Sequence, residues 1–202
     1  MNGHETEVKF YVQDLNRIAM RLRELKAHLI QPRVHEINYR YDMPDGSLRR
    51  EFKVLRLRKD TEAKFTFKGP SEEHEGVMKR REIEFAVGDF KAATQFLEAL
   101  GFEPVVYYEK FRETYELNGA HIMLDELPFG SFVEIEGENV DLLRRNADLL
   151  GLRWDTSVKA GYLTLFERLA EKHELDPGQL SFEALKSVQI NEDALNVFPA
   201  DR

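Results

Sequence analysis

Glutamates, lysines and arginines recur in this chain at alternate positions, the spacing that puts side chains on one face of an extended strand. Glu5, Glu7 and Lys9 share one parity, and Val8 and Phe10 the other. The pattern repeats in Arg56 and Arg58, in Lys64, Thr66 and Lys68, in Arg80, Glu82 and Glu84, in Lys110 and Arg112, and in Glu134 and Glu136. Asn38, Arg40 and Asp42 alternate with Tyr39 and Tyr41. Like charges are therefore neighbours along a strand. Two carboxylates ~7 Å apart repel by ~0.6 kcal/mol in water and by ~2.4 kcal/mol at an effective dielectric of about 20. Such pairs persist cheaply in full solvent, or where a ligand of opposite charge sits between them. Two readings follow: an open antiparallel sheet wet on one face, or a concave charged face that holds ions. On the second, paired glutamates offer hard oxygen ligands suited to Mg²⁺ or Mn²⁺, and the Lys and Arg side chains offer donors to a polyanion. The six histidines show no metal-ligand spacing, and there is no cysteine for thiolate or disulfide chemistry. His121 shares the parity of Asp125 and is placed at a cavity mouth.

The elements that must position these residues are mostly strands. Period-2 alternation predicts them over Glu5–Tyr11, Val34–Asp42, Phe52–Lys59, Glu62–Lys68, Val77–Val87, Val105–Leu117, Ala120–Asp125 and Ser131–Glu138. Asp60-Thr61, Asn118-Gly119 and Leu127–Gly130 are hairpin-length links, which demand antiparallel neighbours. Helices are predicted after the caps Asp14, Asp89 and Asn139, with Gly101 and Gly151 closing two of them, and over about 158–172. Leu15, Ile18, Leu22, Leu25 and Leu29 form the apolar stripe of the first helix. The spacers Pro44–Arg50 and Pro70–Gly76 read as polar and mobile, Gly69-Pro70 as a strand-ending turn, and Ser181–Lys186 as a short capped helix. The fold class expected is α+β, eight antiparallel strands closing into a β-barrel or tunnel with flanking helices. Residues 1–172 form the domain, and 173–202 a C-terminal helical appendage.

Composition narrows the function classes. The chain has 202 residues, 42% of them hydrophobic and 33% charged, enough for a sizeable core under a charged skin. A net charge of −8 argues against a general nucleic-acid coat. No apolar run reaches the length of a membrane span, and the polar N-terminus leaves no room for a signal peptide. A cytoplasmic protein is expected, with a homodimer suggested by the convex apolar faces.

The motifs resemble a known family. Glu5-Thr6-Glu7-Val8-Lys9 is similar to the Glu-x-Glu-x-Lys signature of the CYTH superfamily, the triphosphate tunnel metalloenzymes. Leu55–Arg58, Phe65–Pro70, Arg80–Glu84, Tyr108–Arg112, Leu124-Asp125 and Gly130–Gly137 follow in matching order, then a helix containing Tyr162. The resemblance covers about residues 4–168. It implies an eight-stranded tunnel whose lumen binds a triphosphate (tripolyphosphate, thiamine triphosphate or ATP) with Mg²⁺ or Mn²⁺. It marks Glu5, Glu7, Glu134 and Glu136 as metal ligands. Lys9, Arg40, Arg56, Arg58, Lys64, Lys68, Arg80, Lys110 and Arg112 become substrate contacts. Lys9 also counts, with Glu82, Glu84 and Asp125, among the catalytic set; those three acids orient the basic groups or hold a second metal. Asn38 and Arg40 stand where many members carry an acidic residue and an aromatic. Arg40 could add a phosphate contact, and the exchange leaves the non-phosphate end of the substrate open.

Three activities fit that cradle: hydrolysis of the terminal phosphoanhydride of an inorganic or organic triphosphate, which leads; cyclisation of ATP to cyclic AMP and pyrophosphate, as in class IV adenylate cyclases; and binding of polyphosphate or nucleotide without turnover. Cyclisation needs an adenine slot, for which Phe132, of lumen parity, is the expected wall. Trp154, Leu163, Leu165 and Phe166 are read as core, and Lys159 as a solvated lysine near the last helix.

Overall fold

The computed structural model describes residues 3–74, 77–190 and 192–202, without the side chains of residues 3–5, 73–74, 77–78 and 192. The elements run β1 (Gly3–Val12), α1 (Leu15–Glu24), β2 (His28–Asp42), α2 (Ser47–Arg50), β3 (Val54–Lys59), β4 (Ala63–His74), β5 (Val77–Val87), α3 (Phe90–Ala99), β6 (Glu103–Leu117), β7 (Ala120–Leu127), β8 (Gly130–Glu136), α4 (Val140–Leu149), a 3₁₀ turn (Trp154–Thr156), α5 (Tyr162–His173), β9 (Gln179–Leu180) and α6 (Glu192–Leu195). Among the described residues, eight strands pair antiparallel in the order β2-β3-β4-β5-β1-β8-β7-β6, and β6 pairs back to β2. The sheet closes on itself, as the tunnel reading requires. β9 adds to β6 in parallel beyond the end of β7.

Closure divides every strand between lumen and exterior. The apolar parity faces out and helices cover much of it, although Phe85 of β5 stays exposed. Val8, Phe10 and Val12 of β1, with Ile122, Leu124, Val133 and Ile135, pack against Ile18 and Leu22 of α1 and Leu143 and Ala147 of α4. Tyr41 and Leu57 pack against Ala93 and Leu97 of α3. A third core forms where β7 ends and β8 begins: Leu127, Phe129 and Phe132 meet Leu165, Phe166 and Leu169 of α5 and, behind them, Leu180, Leu185, Leu195 and Val197 of the C-terminal segment.

The caps and turns form at the predicted residues. The side chains of Asp14, Asp89 and Asn139 accept from the third backbone N–H beyond them, each at 3.0 Å. Asn118 and Gly119 both have positive φ, 52° and 81°, the conformation a two-residue hairpin favours. Gly130 has φ 152°, and a Cβ there would meet Tyr11 Cε2 at 2.9 Å, so glycine is required.

Four segments depart from expectation. α1 ends where Lys26 adopts φ 56° and Ala27 N–H bonds the carbonyl of Leu22, so β2 begins at His28 and Leu29 is a strand residue; bulges around Gln31 absorb Pro32 and Arg33. The 44–50 spacer contains α2, whose end at Phe52 (φ 55°) delays β3 to Val54. Gly69-Pro70 does not end β4: it is a bulge after which β4 runs on to His74 opposite β5, and Glu75 and Gly76 lie outside the described residues. Residues 181–186 form turns rather than a helix, although Ser181 Oγ does accept from Ala184 N–H at 3.1 Å.

Candidate active site

The charged parity of the ring lines a cavity of about 1100 Å³. Glu7 and Lys9 enter from β1, Arg40 from β2, Arg56 and Arg58 from β3, and Lys64 and Lys68 from β4. Arg80, Glu82 and Glu84 come from β5, Lys110 and Arg112 from β6, and Glu134 and Glu136 from β8. His121 lies on its wall, and Lys159, Tyr162, Leu163 and Arg168 reach it from α5 and the segment before it. Glu5 sits on β1 opposite Arg80, and its side chain lies outside the described residues. Asp125 is not on the surface of the cavity: it is fully buried behind it. Phe132 is also fully buried, edge-on to Tyr11, Phe129 and Tyr162, so it belongs to the core and walls no slot.

Among the described residues, eleven basic and five acidic side chains line this cavity, in a chain whose net charge is −8. The acids hold the bases in place. Asp125 accepts from Lys110 Nζ at 3.0 Å, from Arg112 Nε at 2.6 Å and from the Tyr162 hydroxyl at 2.8 Å. Glu134 pairs with Lys9 at 2.8 Å and with Arg112. Glu84 accepts from the Thr66 hydroxyl at 2.9 Å and lies 3.3 Å from Arg58 and 3.6 Å from Lys64. Glu82 pairs with Lys68 at 2.8 Å, and Glu7 with Arg80 at 3.3 Å.

Glu36, which parity places with Asn38 and Arg40, joins the candidate site, and alternation alone does not single it out. It is 1% exposed, accepts from Asn38 Nδ2 at 3.0 Å, and lies 3.4 Å from Arg58 and 3.6 Å from Lys110. Burial opposes its ionisation, yet Lys110, Arg112, Arg58 and Arg56 hold its carboxyl well below the usual carboxylate range. Tyr108, two residues before Lys110, is not singled out either; its hydroxyl accepts from Arg56 at 3.3 Å. Burial would raise its pKa, but Arg56 and Lys110 bring it below the ordinary tyrosine value. Tyr162 and Arg168 lie on a helix, where strand parity gives no signal.

Arg40 differs from the other cations. Among the described residues it has no ion pair or hydrogen bond; desolvation, with Arg56 and Arg80, lowers its pKa, and Tyr108 and Glu167 only partly offset this. Lys9 shows the opposite balance: burial lowers its pKa, and Glu134 and Glu7 more than reverse that. Buried Arg56 Nε and Arg58 Nε also make no hydrogen bond.

A divalent cation of the Mg²⁺ or Mn²⁺ type calls for hard oxygen donors. Glu7 and Glu136 are directly opposite across β1 and β8, and both line the cavity. Opposed like charges destabilise a sheet, and a hard cation between such carboxylates removes that cost. Glu5 lies two residues along the same strand. Glu134 is engaged by Lys9 and Arg112, and Glu7 by Arg80. Among the described residues no three acidic or histidine side chains converge on one point. What suits a cation is the donor type of Glu7 and Glu136, two carboxylates at facing positions of β1 and β8.

Comparison with known proteins agrees with this architecture. The CYTH domain family model matches residues 3–142. A candidate adenylate cyclase from Vibrio parahaemolyticus is 21% identical with a TM-score of 0.75, over 83% of this chain and 99% of that one. A protein of Pyrococcus horikoshii is 26% identical with a TM-score of 0.67, over 81% and 98%. A candidate adenylyl cyclase from Hippeastrum, described as having a dominant triphosphatase activity, is 20% identical with a TM-score of 0.62, over 81% and 95%. No curated protein matches the sequence. No helix among the described residues is long and apolar enough to cross a membrane. With an eight-stranded charged lumen and a family match over most of its length, the chain belongs to the CYTH domain family.

Proposed function

We propose that this protein is a divalent-metal-dependent triphosphatase that hydrolyses the terminal phosphoanhydride of an inorganic or organic triphosphate. The observation that carries this reading is the cation excess of the lumen: eleven basic against five acidic side chains among the described residues. Counting Glu36 and Asp125 behind the wall, bases remain in excess among the described side chains, which favours a polyanion such as a triphosphate of about four negative charges. A cavity so charged lowers its own energy by taking in a polyanion.

In the reaction, a water oxygen forms a bond to the terminal phosphorus and the bridging P–O bond breaks, releasing inorganic phosphate and a diphosphate end. Lys9, Arg56, Arg58, Lys64, Lys68, Arg80, Lys110 and Arg112 hold the phosphate oxygens and stabilise charge developing on the leaving phosphates. Arg40 adds a cation that has no ion pair among the described residues. Glu82, Glu84 and Asp125 orient these groups, and Glu134 holds Lys9 and Arg112. Glu7 and Glu136, with Glu5 beside them, would hold Mg²⁺ or Mn²⁺, which when bound supplies phosphate-charge neutralisation and a more acidic water.

The burial of Phe132 removes the expected wall of an adenine slot, which favours hydrolysis over cyclisation. The test is a steady-state assay of tripolyphosphate, thiamine triphosphate and ATP with Mg²⁺ or Mn²⁺, scored for phosphate and for cyclic AMP. Phosphate release from one of the three supports the proposal, and cyclic AMP with pyrophosphate from ATP would replace it with cyclisation. If wild type shows no metal-dependent turnover, and Glu7→Ala and Glu136→Ala bind triphosphate as wild type does, the protein is a binding module.

A further inference from the structure

Tyr162 reaches the lumen from outside the sheet and beyond the stretch that the family model matches. Its ring lies 4.2 Å from Lys9 Nζ and 5.3 Å from Lys110 Nζ, measured to the centroid. Its hydroxyl donates to Asp125 Oδ2 at 2.8 Å, the carboxylate that also holds Lys110 and Arg112. One neutral side chain thus touches two lumen cations directly and a third through Asp125. Behind it, Phe132 packs against the ring edge at 5.1 Å between centroids, and Val158 N–H bonds the carbonyl of Lys9 at 2.7 Å. Burial, Asp125 and Glu134 push the phenol well above its ordinary pKa, so it remains a donor at neutral pH.

A ring face and a carboxylate hold an ammonium in different ways. Glu134 neutralises Lys9 and competes with any phosphate for it. The ring attracts the ammonium through its quadrupole, more weakly and from one direction, and leaves the charge intact. Lys9 stands between the two, so an arriving phosphate displaces the carboxylate contact while the ring still fixes where the ammonium stands.

We propose that Tyr162 is a positioning residue for the triphosphate reaction: its ring places Lys9 and Lys110, and its hydroxyl sets Asp125 and through it Arg112. This rests on the triphosphatase reading, and the test separates the two. Ring-current shifts of the Lys9 and Lys110 side-chain methylenes, read by NMR without any ligand, report the placement itself. They are expected upfield in wild type and in Tyr162→Phe, and lost in Tyr162→Leu. Metal-free calorimetry with tripolyphosphate and steady-state kinetics with Mg²⁺ report the consequence. Tyr162→Phe keeps Kd and KM within about twofold of wild type and lowers kcat, whereas Tyr162→Leu raises Kd and KM by about tenfold. Wild-type lysine shifts without ring current overturn the proposal, even if the leucine variant fails to fold. So does a folded leucine variant that binds tripolyphosphate as wild type does, or a phenylalanine variant whose Kd and KM rise as far as those of the leucine variant. Ring-current shifts in a wild type that neither binds nor cleaves tripolyphosphate would instead sink the triphosphatase reading and leave the placement of the lysines standing.

Discussion

An arginine partly desolvated beside other arginines weakens the fold that holds it unless an anion joins it, and Arg40, half-buried in the cavity wall near Arg56 and Arg80, is in that position. Arg40→Met removes a cation that the fold does not need. Its Kd for tripolyphosphate should rise about tenfold by calorimetry, with an unliganded melting temperature equal to or above that of wild type. Asp125 is the converse case, since three donors share it and it is fully buried. Asp125→Asn leaves Lys110 and Arg112 without their main counter-charge, and denaturant unfolding should show a loss of about 3–5 kcal/mol. Glu36 carries a pH signature. Its carboxyl ionises more readily in the folded chain than in the unfolded one, so its stabilisation is complete above the unfolded value of about 4.3 and is lost as pH falls below it. Thermal melts between about pH 6 and about pH 3 should fall more steeply for wild type than for Glu36→Gln, which starts less stable at neutral pH. An acid limb of the same slope in both would show that Glu36 is not held by its cations.

At the scale of elements, α5 is held from two sides: Tyr162 faces the lumen cations, and Leu165, Phe166 and Leu169 pack against the C-terminal segment. That segment is itself anchored. Ala200 N–H bonds the carbonyl of Tyr11, and the Asp201 carboxylate accepts from the backbone of Gln13 at 3.0 Å and of Asp14 at 3.0 Å. Leu195 is fully buried in this core, and Leu195→Ala should cost about 2–5 kcal/mol by denaturant unfolding. A smaller loss would show that the segment merely drapes over the domain. The strands were legible because closure enforces parity: most lumen residues have an apolar neighbour on the outer face, as Val8 stands beside Glu7 and Lys9, although Arg80 lies between Lys79 and Arg81. The caps were legible because Asp14, Asp89 and Asn139 act within three residues. What escaped depends on distant contacts or on backbone irregularity. The bulge at Gly69-Pro70 looks like a turn until β5 is seen opposite it, and Leu29 keeps helical spacing past the residue, Lys26, that ends α1. The site followed the same division. Glu7 to Glu136 could be read from alternation, and Glu36 shares that parity but is visible as a partner only once Lys110 and Arg58 come round the ring to meet it. Tyr162 and Arg168 owe their place to packing of α5, which no local pattern encodes.

The molecule as a whole separates its charge, with a net −8 over the chain and a lumen in which, among the described residues, bases outnumber acids by eleven to five. The lumen bases are restrained by glutamates and Asp125 rather than neutralised in full, so the unliganded fold holds electrostatic strain that a polyanion relieves. Binding and turnover then make different demands. On the proposed function, the cations alone retain a triphosphate, whereas the Glu7–Glu136 pair would enter the chemistry through a metal. Tripolyphosphate at about one hundred times its Kd, with EDTA present, should stabilise the fold by ~2.7 kcal/mol. For a chain of this length that corresponds to a rise of about 5–10 °C in Tm. The rise should shrink as salt shortens the range of the field. Turnover should be absent under EDTA and return with Mg²⁺ or Mn²⁺, while the metal-free shift in Tm remains. If tripolyphosphate raised Tm only when a divalent cation was present, the metal rather than the lumen bases would be the anchor, and the charge asymmetry of the ring would have no part in capture.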